Sequence, residues 1–193
     1  MLERMLSSKS KVKIIRMLMG SPEREFCLDD VVRETKMSWG TVYPSMKSLV
    51  SSRMVTVRKA GRTKLYRINK TNLLFHDLSG AFKSEKEAPL RIAKEFASKI
   101  GKRGIISITL FGSAARGEAT EKSDIDLLFI TKGAGPVKKE ADALASEFAD
   151  RYDIDVVPIY MTQPEFERRK KRFDRFIMNV IQEGIVMFGS AGG

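Results

Sequence analysis

The sequence predicts an α/β protein, α+β overall, in which three helices and a β-hairpin precede a second module with a mixed sheet flanked by helices. The first observation behind this prediction is a change from helical periods to alternating strands and helices after residue 89. The second is charge: the 193-residue chain has a net charge of +11, and residues 1–70 hold sixteen Lys and Arg against six Asp and Glu. We therefore expect domains at residues 1–70 and 89–193, with residues 71–88 as a linker or connecting helix.

The elements of the first module follow from apolar spacing and from residues typical of turns. Apolar residues at helical spacing predict two helices, and Ser38 is a suitable N-cap for a third that runs to about Ser52. Gly61 lies between two β-type runs and predicts the turn of a hairpin. The predicted elements are helices over residues 11–19, 28–35 and 38–52 and strands over residues 54–57 and 64–68.

The second module is predicted to begin with a helix that has Pro89 in its first turn. A capping box of Thr162 and Glu165 predicts a late helix, whose apolar stripe continues through Phe173 and which ends at Gly184. Its other predicted elements are a helix over residues 137–152 and strands over residues 105–111, 125–131, 154–160 and 185–188.

Composition restricts both the chemistry and the setting. Cys27 is the only cysteine and His76 the only histidine, which excludes an intramolecular disulfide and a multi-cysteine or His-rich metal centre. No apolar run approaches the roughly 20 residues that a membrane span needs, so we expect no membrane partner. Residues 1–4 do not open a secretory signal, and a reducing cytoplasm is the expected location.

The first module has the pattern of a reader of duplex DNA. A recognition helix must bury one face and present slim polar side chains to the major groove, and a basic hairpin suits phosphate or minor-groove contact. The expected DNA-binding residues are Thr41, Tyr43, Ser45, Lys47, Lys59, Arg62 and Lys64. The alternative is a module for protein–protein contact in which Trp39 and Tyr43 are core aromatics.

Residues 38–69 resemble the recognition helix and wing of PadR-like and ArsR-like repressors. The similar segments are Ser-Trp-Gly-Thr-Val-Tyr-Pro-Ser-Met-Lys-Ser-Leu-Val and Gly-Arg-Thr-Lys-Leu-Tyr-Arg-Ile, with the Tyr43-Pro44 pair typical of PadR-like proteins. This resemblance implies a winged helix-turn-helix that binds DNA, regulates transcription and forms a homodimer. Leu2, Met5 and Leu6 are candidates for the dimer seam.

A predicted strand ends at Gly112-Ser113, and a second begins with Asp124 and Asp126. Glycine lets a phosphate approach the backbone, and a serine hydroxyl can bind it. Strand alternation puts both carboxylates on one face, where they repel each other unless a cation lies between them. Mg²⁺ prefers carboxylate oxygens together with substrate phosphates. These residues therefore predict a metal-dependent phosphate site.

The pattern Gly-Ser, ten residues, Asp-x-Asp resembles the nucleotidyltransferase superfamily that includes DNA polymerase beta, and most closely the minimal nucleotidyltransferases, over about residues 90–188. The resemblance implies that Asp124, Asp126 and Asp155 bind two Mg²⁺ (or Mn²⁺) ions around a nucleoside triphosphate, with ATP expected. Asp153 is the alternative third carboxylate. The resemblance also implies that Gly112 and Ser113 bind the β- and γ-phosphates of the nucleotide and that Arg116 assists in binding them.

The implied activity is transfer of a nucleoside monophosphate to a hydroxyl acceptor, coupled to transcriptional regulation. One alternative is a catalytically silent regulator whose nucleotidyltransferase-like domain senses nucleotide. Another is an antitoxin that modifies a HEPN-type toxin partner on a tyrosine. The basic run at residues 168–172 is predicted to be the solvated face of an amphipathic helix, with contact to RNA, DNA or an acidic partner as the alternative.

Overall fold

The computed structural model describes residues 6–119, 123–133 and 135–190, and it divides the chain into two compact units, Met1–Lys83 and Ser84–Gly193. The predicted seam residues Leu2 and Met5 lie outside the described residues. In chain order, the elements are α1 (Lys9–Gly20), α2 (Leu28–Thr35), α3 (Trp39–Ser51), β1 (Val55–Ala60), β2 (Thr63–Ile68), α4 (Phe75–Lys99), β3 (Ile105–Phe111), α5 (Gly112–Ala115), β4 (Ile125–Thr131), α6 (Gly135–Tyr152), β5 (Val156–Thr162), α7 (Gln163–Lys171), α8 (Arg175–Glu183) and β6 (Ile185–Phe188). Within these described residues, no helix combines the length and hydropathy needed to cross a membrane.

The first unit packs three helices and a hairpin around one hydrophobic core, in the predicted order. β1 pairs with β2 in antiparallel register from Val55 opposite Ile68 to Ala60 opposite Thr63. Gly61 has a φ of +60° at the turn, a conformation that glycine adopts without steric cost. The largest fully buried side chains of this core are Ile14, Ile15, Leu18, Phe26, Met46, Leu49, Met54 and Ile68.

Helix α4 corrects the prediction that Pro89 lies in a first turn. Pro89 is interior to a helix of 25 residues that includes most of the predicted connecting segment. Proline cannot donate the helical hydrogen bond, so propensity alone predicts a boundary here. Packing offsets that cost, because Leu78 belongs to the core of the first unit and Phe96 to that of the second.

The second unit is built on a four-stranded mixed sheet in the order β5-β4-β3-β6, flanked by helices as predicted. β3 is antiparallel to β4 and β6, and β4 is parallel to β5. Alternate residues of β4 enter different cores. Ile125, Leu127 and Phe129 pack with residues of α4 and α6, whereas Leu128 and Ile130 pack with residues of α7 and α8. Odd-numbered residues of β4 therefore face α4 and α6, and even-numbered residues face α7 and α8.

The predicted late helix is in fact two helices, separated at Phe173. Phe173 has a φ of +52° and is 79% exposed, so it does not continue the buried stripe. The side chain of Asp174 accepts hydrogen bonds from the backbone N–H groups of Phe176 and Ile177 and starts α8 as its N-cap. Thr162 is the N-cap residue of α7, but its side chain makes no capping hydrogen bond.

Candidate active site

Three of the predicted carboxylates lie at one end of neighbouring strands. Asp124 directly precedes β4, Asp126 is its second residue, and Asp155 directly precedes β5. Ile125 and Val156 are register partners, and the Ile125 N–H donates to the carbonyl oxygen of Asp155 at 2.8 Å. Strand alternation assigns Asp124 and Asp126 to the face of Leu128, and the parallel register assigns Asp155 to the same face. The three acids thus lie at the same end of two neighbouring strands.

Asp153 does not share this placement. Its φ of +53° is left-handed, and its N–H donates to the carbonyl oxygen of Ala149. Asp153 therefore directly follows the end of α6 in a capping conformation. The strand begins at Val156, two residues later than predicted, so strand alternation does not extend back to Asp153. Asp153 therefore does not lie on the strand face that the sequence-based expectation assumed for it.

Gly112 is in direct contact with Asp126. Phe111, the last residue of β3, is the antiparallel partner of Asp126, so the chain turns into α5 beside this carboxylate. A Cβ atom on Gly112 would overlap Oδ2 of Asp126 and lie 3.4 Å from its Cγ. Gly112 also has a φ of +73°, which side-chain-bearing residues rarely adopt. The backbone conformation therefore favours glycine at this position, and a larger residue would also push the Asp126 carboxylate aside.

Asp124 and Asp126 place two negative charges close together, and no described cation offsets them. Asp126 is half-buried and Asp124 is exposed. Burial, followed by the negative charge of Asp124, raises the pKa of the Asp126 carboxyl group. Among the described residues, no cationic side chain forms an ion pair with either carboxylate. A cation supplied from outside the chain would relieve this repulsion.

The donor set fits a divalent cation that is completed by its substrate. Within the described ranges, no three His, Cys, Asp or Glu side chains converge closely enough to enclose a metal ion. Mg²⁺ rarely needs such a cage, because one or two carboxylates, water and substrate phosphates usually complete its octahedron. Asp124 and Asp126, whose carboxylates form no ion pair within the part of the chain that the structure describes, suit that mode of binding.

The loop after β3 holds Ser113 half-buried and engages Arg116 with two carboxylates. Arg116 Nε donates to Glu118 at 2.8 Å and its NH1 to Glu183 at 3.1 Å. These hydrogen bonds raise the pKa of the Arg116 guanidinium. These two bonds use Nε and one donor of NH1, so other N–H donors of the guanidinium remain for a phosphate oxygen. Sequence reasoning missed Glu183, because no local signal connects residues that lie 67 positions apart.

Most predicted DNA contacts are exposed, but Ser45 is not. Ser45 is 7% exposed, and its hydroxyl donates to Ser10 Oγ of α1 at 3.2 Å. It faces the core of the first unit, so the prediction that it contacts DNA is wrong. The exposed residues are Thr41, Tyr43 and Lys47 on α3 and Lys59, Arg62 and Lys64 at the hairpin tip.

The alternative in which Trp39 and Tyr43 are core aromatics is also wrong. Their side chains are 49% and 46% exposed and stack with ring centroids 5.3 Å apart. The indole N–H of Trp39 donates to Asp29 Oδ1 at 3.1 Å. Their spacing of four residues on one helix face is the signal that predicts such a pair. The result is an ordered aromatic surface at the start of α3.

Comparison with known proteins gives matches over the second unit. The sequence model for the nucleotidyltransferase domain matches residues 90–187, which include every site residue predicted in that module. Two proteins of Methanocaldococcus jannaschii, both named as candidate protein adenylyltransferases, are similar in sequence. One is 36% identical over 75 residues, which cover 36% of this chain and 76% of the relative. The other is 42% identical over 77 residues, which cover 35% of this chain and 51% of the relative.

Among solved structures, a toxin–antitoxin complex with AMP-PNP is similar with 22% identity and a TM-score of 0.36. The similarity covers 53% of this chain and 73% of that one.

Proposed function

This chain belongs to the nucleotidyltransferase domain family, and from that premise we propose that it transfers a nucleoside monophosphate from ATP to a hydroxyl acceptor and releases pyrophosphate. The observation that carries the proposal is the pair of Asp124 and Asp126, whose negative charges no described cation offsets, with Asp126 next to Gly112. A glycine turn gives a triphosphate access to the backbone, and the adjacent acids supply oxygen ligands for its cation.

Each residue of the site has a distinct part in this reaction. The backbone at Gly112 and the hydroxyl of Ser113 bind phosphate oxygens, and Asp124 and Asp126 orient the triphosphate. Asp155 accepts the proton of the acceptor hydroxyl as its oxygen bonds to the α-phosphorus and the bond to the pyrophosphate oxygen breaks. A divalent cation at these acids would offset the charge on the phosphates and lower the pKa of the acceptor hydroxyl.

A protein hydroxyl is the acceptor that we propose. The two archaeal relatives are named for transfer of an adenylyl group to protein. The transferred group would then be AMP, and the product a phosphodiester on a Ser, Thr or Tyr side chain. The antitoxin role, with a HEPN-type toxin as acceptor, stays a prediction from the sequence resemblance, as does the homodimer.

The test is incubation of the full chain and a lysate of its source with Mg²⁺ and ATP labelled on the α-phosphate. Label is expected on protein, and Asp126→Asn is expected to reduce transfer at least about a hundredfold, because it removes a metal ligand. Asp150→Asn, the same change at an exposed position of α6, is the matched control and is expected to keep activity. Mg²⁺-dependent ATP binding with no labelled product would contradict the enzyme and favour the nucleotide sensor.

We further propose that the first unit is a winged helix-turn-helix that binds duplex DNA and couples the chain to transcriptional regulation. Residues 1–70 have a net charge of +10, and such a field attracts phosphate backbones. Helix α3 presents Thr41, Tyr43 and Lys47 to solvent, and the hairpin tip presents further cations. Exposed polar and basic side chains on a helix next to a basic hairpin suit contact with a groove and its flanking phosphates.

The single tryptophan makes this second proposal directly testable. Trp39 stacks on Tyr43 at the start of α3, so duplex DNA bound there is expected to change its fluorescence. Affinity is expected to fall steeply with salt, and Lys64→Gln is expected to reduce the salt slope by about one. If the full chain does not bind mixed-sequence duplex DNA at low salt, the DNA-binding proposal is contradicted. That result has no bearing on nucleotidyl transfer.

A further inference from the structure

The turn between α7 and α8 exposes an aromatic ring at the residue that follows the C-cap of α7. We name residues 168–175 the Phe173 turn. Phe173 is 79% exposed, although burial is what its side chain favours in water. Its φ of +52° is the left-handed conformation of a Schellman cap, in which the N–H of Phe173 donates to the carbonyl of Lys170 and that of Asp174 to the carbonyl of Arg169. The helix cap explains the backbone conformation of Phe173, but it does not explain why a large aromatic side chain is exposed.

The cations of the Phe173 turn fall into two groups. Arg169 pairs with Glu165 at 3.3 Å, and the Lys170 ammonium lies 6.0 Å from the centroid of the Phe166 ring. These two belong to the internal packing of α7. The cations that are exposed and have no ion-pair partner among the described residues are Arg168, Lys171, Arg172 and Arg175. Four cations without an ion-pair partner among the described residues therefore lie within five positions of Phe173 in the chain, where Asp174 is the one acidic residue of the turn.

The Phe173 turn is held near the catalytic acids. Asp174 fixes the start of α8 by accepting from the N–H groups of Phe176 and Ile177 at 3.1 and 3.2 Å. The Phe176 ring packs edge-to-face on Phe111, with centroids 5.2 Å apart. Phe111 is in turn the register partner of Asp126. Contacts through Phe176 and Phe111 thus connect the Phe173 turn to the end of β4 that carries Asp126.

We propose that the Phe173 turn binds single-stranded RNA, with a base stacked on Phe173 and phosphates beside the four unpaired cations. An exposed ring surrounded by positive charge is the arrangement that single strands use, because every base has a face to stack and every linkage carries a charge. A duplex offers no free base face to the ring. A protein partner would need a wider apolar centre around the aromatic anchor. RNA is the expected source, since cellular DNA is held mostly as duplex.

The test measures binding of a fluorescent RNA strand of about 12 nucleotides, a typical site size for such surfaces, to the full chain by anisotropy. Phe173→Leu keeps an apolar side chain but removes the aromatic face, and it is expected to weaken binding about tenfold. Phe173→Trp is expected to retain or increase affinity. Because the side chain is exposed, neither change removes buried contacts, and thermal unfolding of both variants checks that the fold is kept.

Charge variants separate this surface from the basic first unit. Arg172→Gln is expected to weaken RNA binding and to lower its salt slope. Lys139→Gln is the matched control, an equal charge change at an exposed position of α6 on the other side of the sheet, and it is expected to leave both unchanged. Lys64→Gln at the hairpin tip is expected to affect duplex DNA and to leave RNA binding unchanged.

Three results would overturn the proposal. The first is no RNA binding by the full chain, and the second is RNA binding that is equal in wild type and Phe173→Leu. The third is Phe173-dependent binding of an acidic polyglutamate peptide, or of a DNA strand of the same sequence, that is tighter than binding of the RNA. Failure of duplex binding or of nucleotidyl transfer is measured separately and leaves these outcomes unaffected.

Discussion

Gly112 and Asp126 are the two residues of the site whose identities depend most directly on each other. A Cβ atom at residue 112 would displace the carboxylate of Asp126 from its position. The same glycine supplies the left-handed turn from β3 into α5. A single position therefore affects both the path of the chain into α5 and the place of a carboxylate to which we assign a role in the proposed reaction.

Gly112→Ala is expected to abolish transfer and to destabilise the second unit by about 1–3 kcal/mol, because it adds a clash to an unfavourable φ. The matched control is Gly117→Ala in the same loop. Gly117 has a φ of +68°, but its added Cβ would meet only Cε of Lys86, at an ordinary 3.6 Å. Transfer assays and thermal unfolding measure both effects. Equal loss of activity in the two variants would show that backbone strain, and not contact with Asp126, explains the effect.

At the scale of elements, the first turn of the short helix α2 depends on the side chain of Asp30. Asp30 accepts from the backbone N–H and the thiol of Cys27, both at 3.1 Å, and from Arg33 at 2.5 Å. The hydrogen bonds from Cys27 and then from Arg33 lower the pKa of Asp30. The ionised carboxylate of Asp30 thus stabilises the first turn of α2.

Asp30→Ala is expected to lower the free energy of unfolding of the first unit by about 1 kcal/mol at neutral pH. A folded-state pKa below the unfolded value means that this contribution is complete above the unfolded pKa, about 3.9. It is lost as the pH falls from there through the lower folded-state pKa. Urea titrations followed by Trp39 fluorescence check this. A difference between variant and wild type that stays constant from neutral pH to about pH 2 would contradict it.

Element boundaries were predictable where local signals determine them. The bounds of β3, β4 and β6 agree with the predicted ranges because β-branched runs between turn residues mark strands directly. Asp124, Asp126 and Gly112 were predicted as site residues in the same way, from spacing along one strand and one turn, and the structure places Asp126 beside Gly112.

The rest required tertiary contacts that spacing does not contain. Phe173 fits an apolar stripe in sequence, but the Asp174 cap begins a new helix there. Ser45 lies beside polar neighbours in sequence, but α1 packs over it. Pro89 predicts a boundary from its chemistry, and packing of α4 at both ends overrides that preference. In each case a contact made by another element decides the outcome.

For the whole molecule, buried residues and charge are best described unit by unit. Each unit has its own hydrophobic core, and most of the positive excess lies in the first. The only tryptophan, Trp39, also lies in the first unit. Fluorescence therefore reports on one unit, whereas far-ultraviolet circular dichroism reports on both.

We expect the two cores to respond separately to equal losses of one methyl group. Ile15 and Ile108 are both fully buried, one in each core. Ile15→Val is expected to lower the stability of its unit by about 1 kcal/mol and to shift the fluorescence transition. Ile108→Val is expected to shift only the circular dichroism transition. Equal fluorescence shifts in the two variants would indicate that the chain unfolds as one cooperative unit.

The alternation along β4 has a consequence for changes in chain length. Ile125 and Leu127 enter one core, while Asp126 and Leu128 face the other side of the sheet. Deletion or duplication of one residue within this strand would exchange the two sets, placing carboxylates in the apolar layer under α4 and α6. We therefore expect β4 to tolerate no change in length, whatever variation in length the turns of the molecule accept.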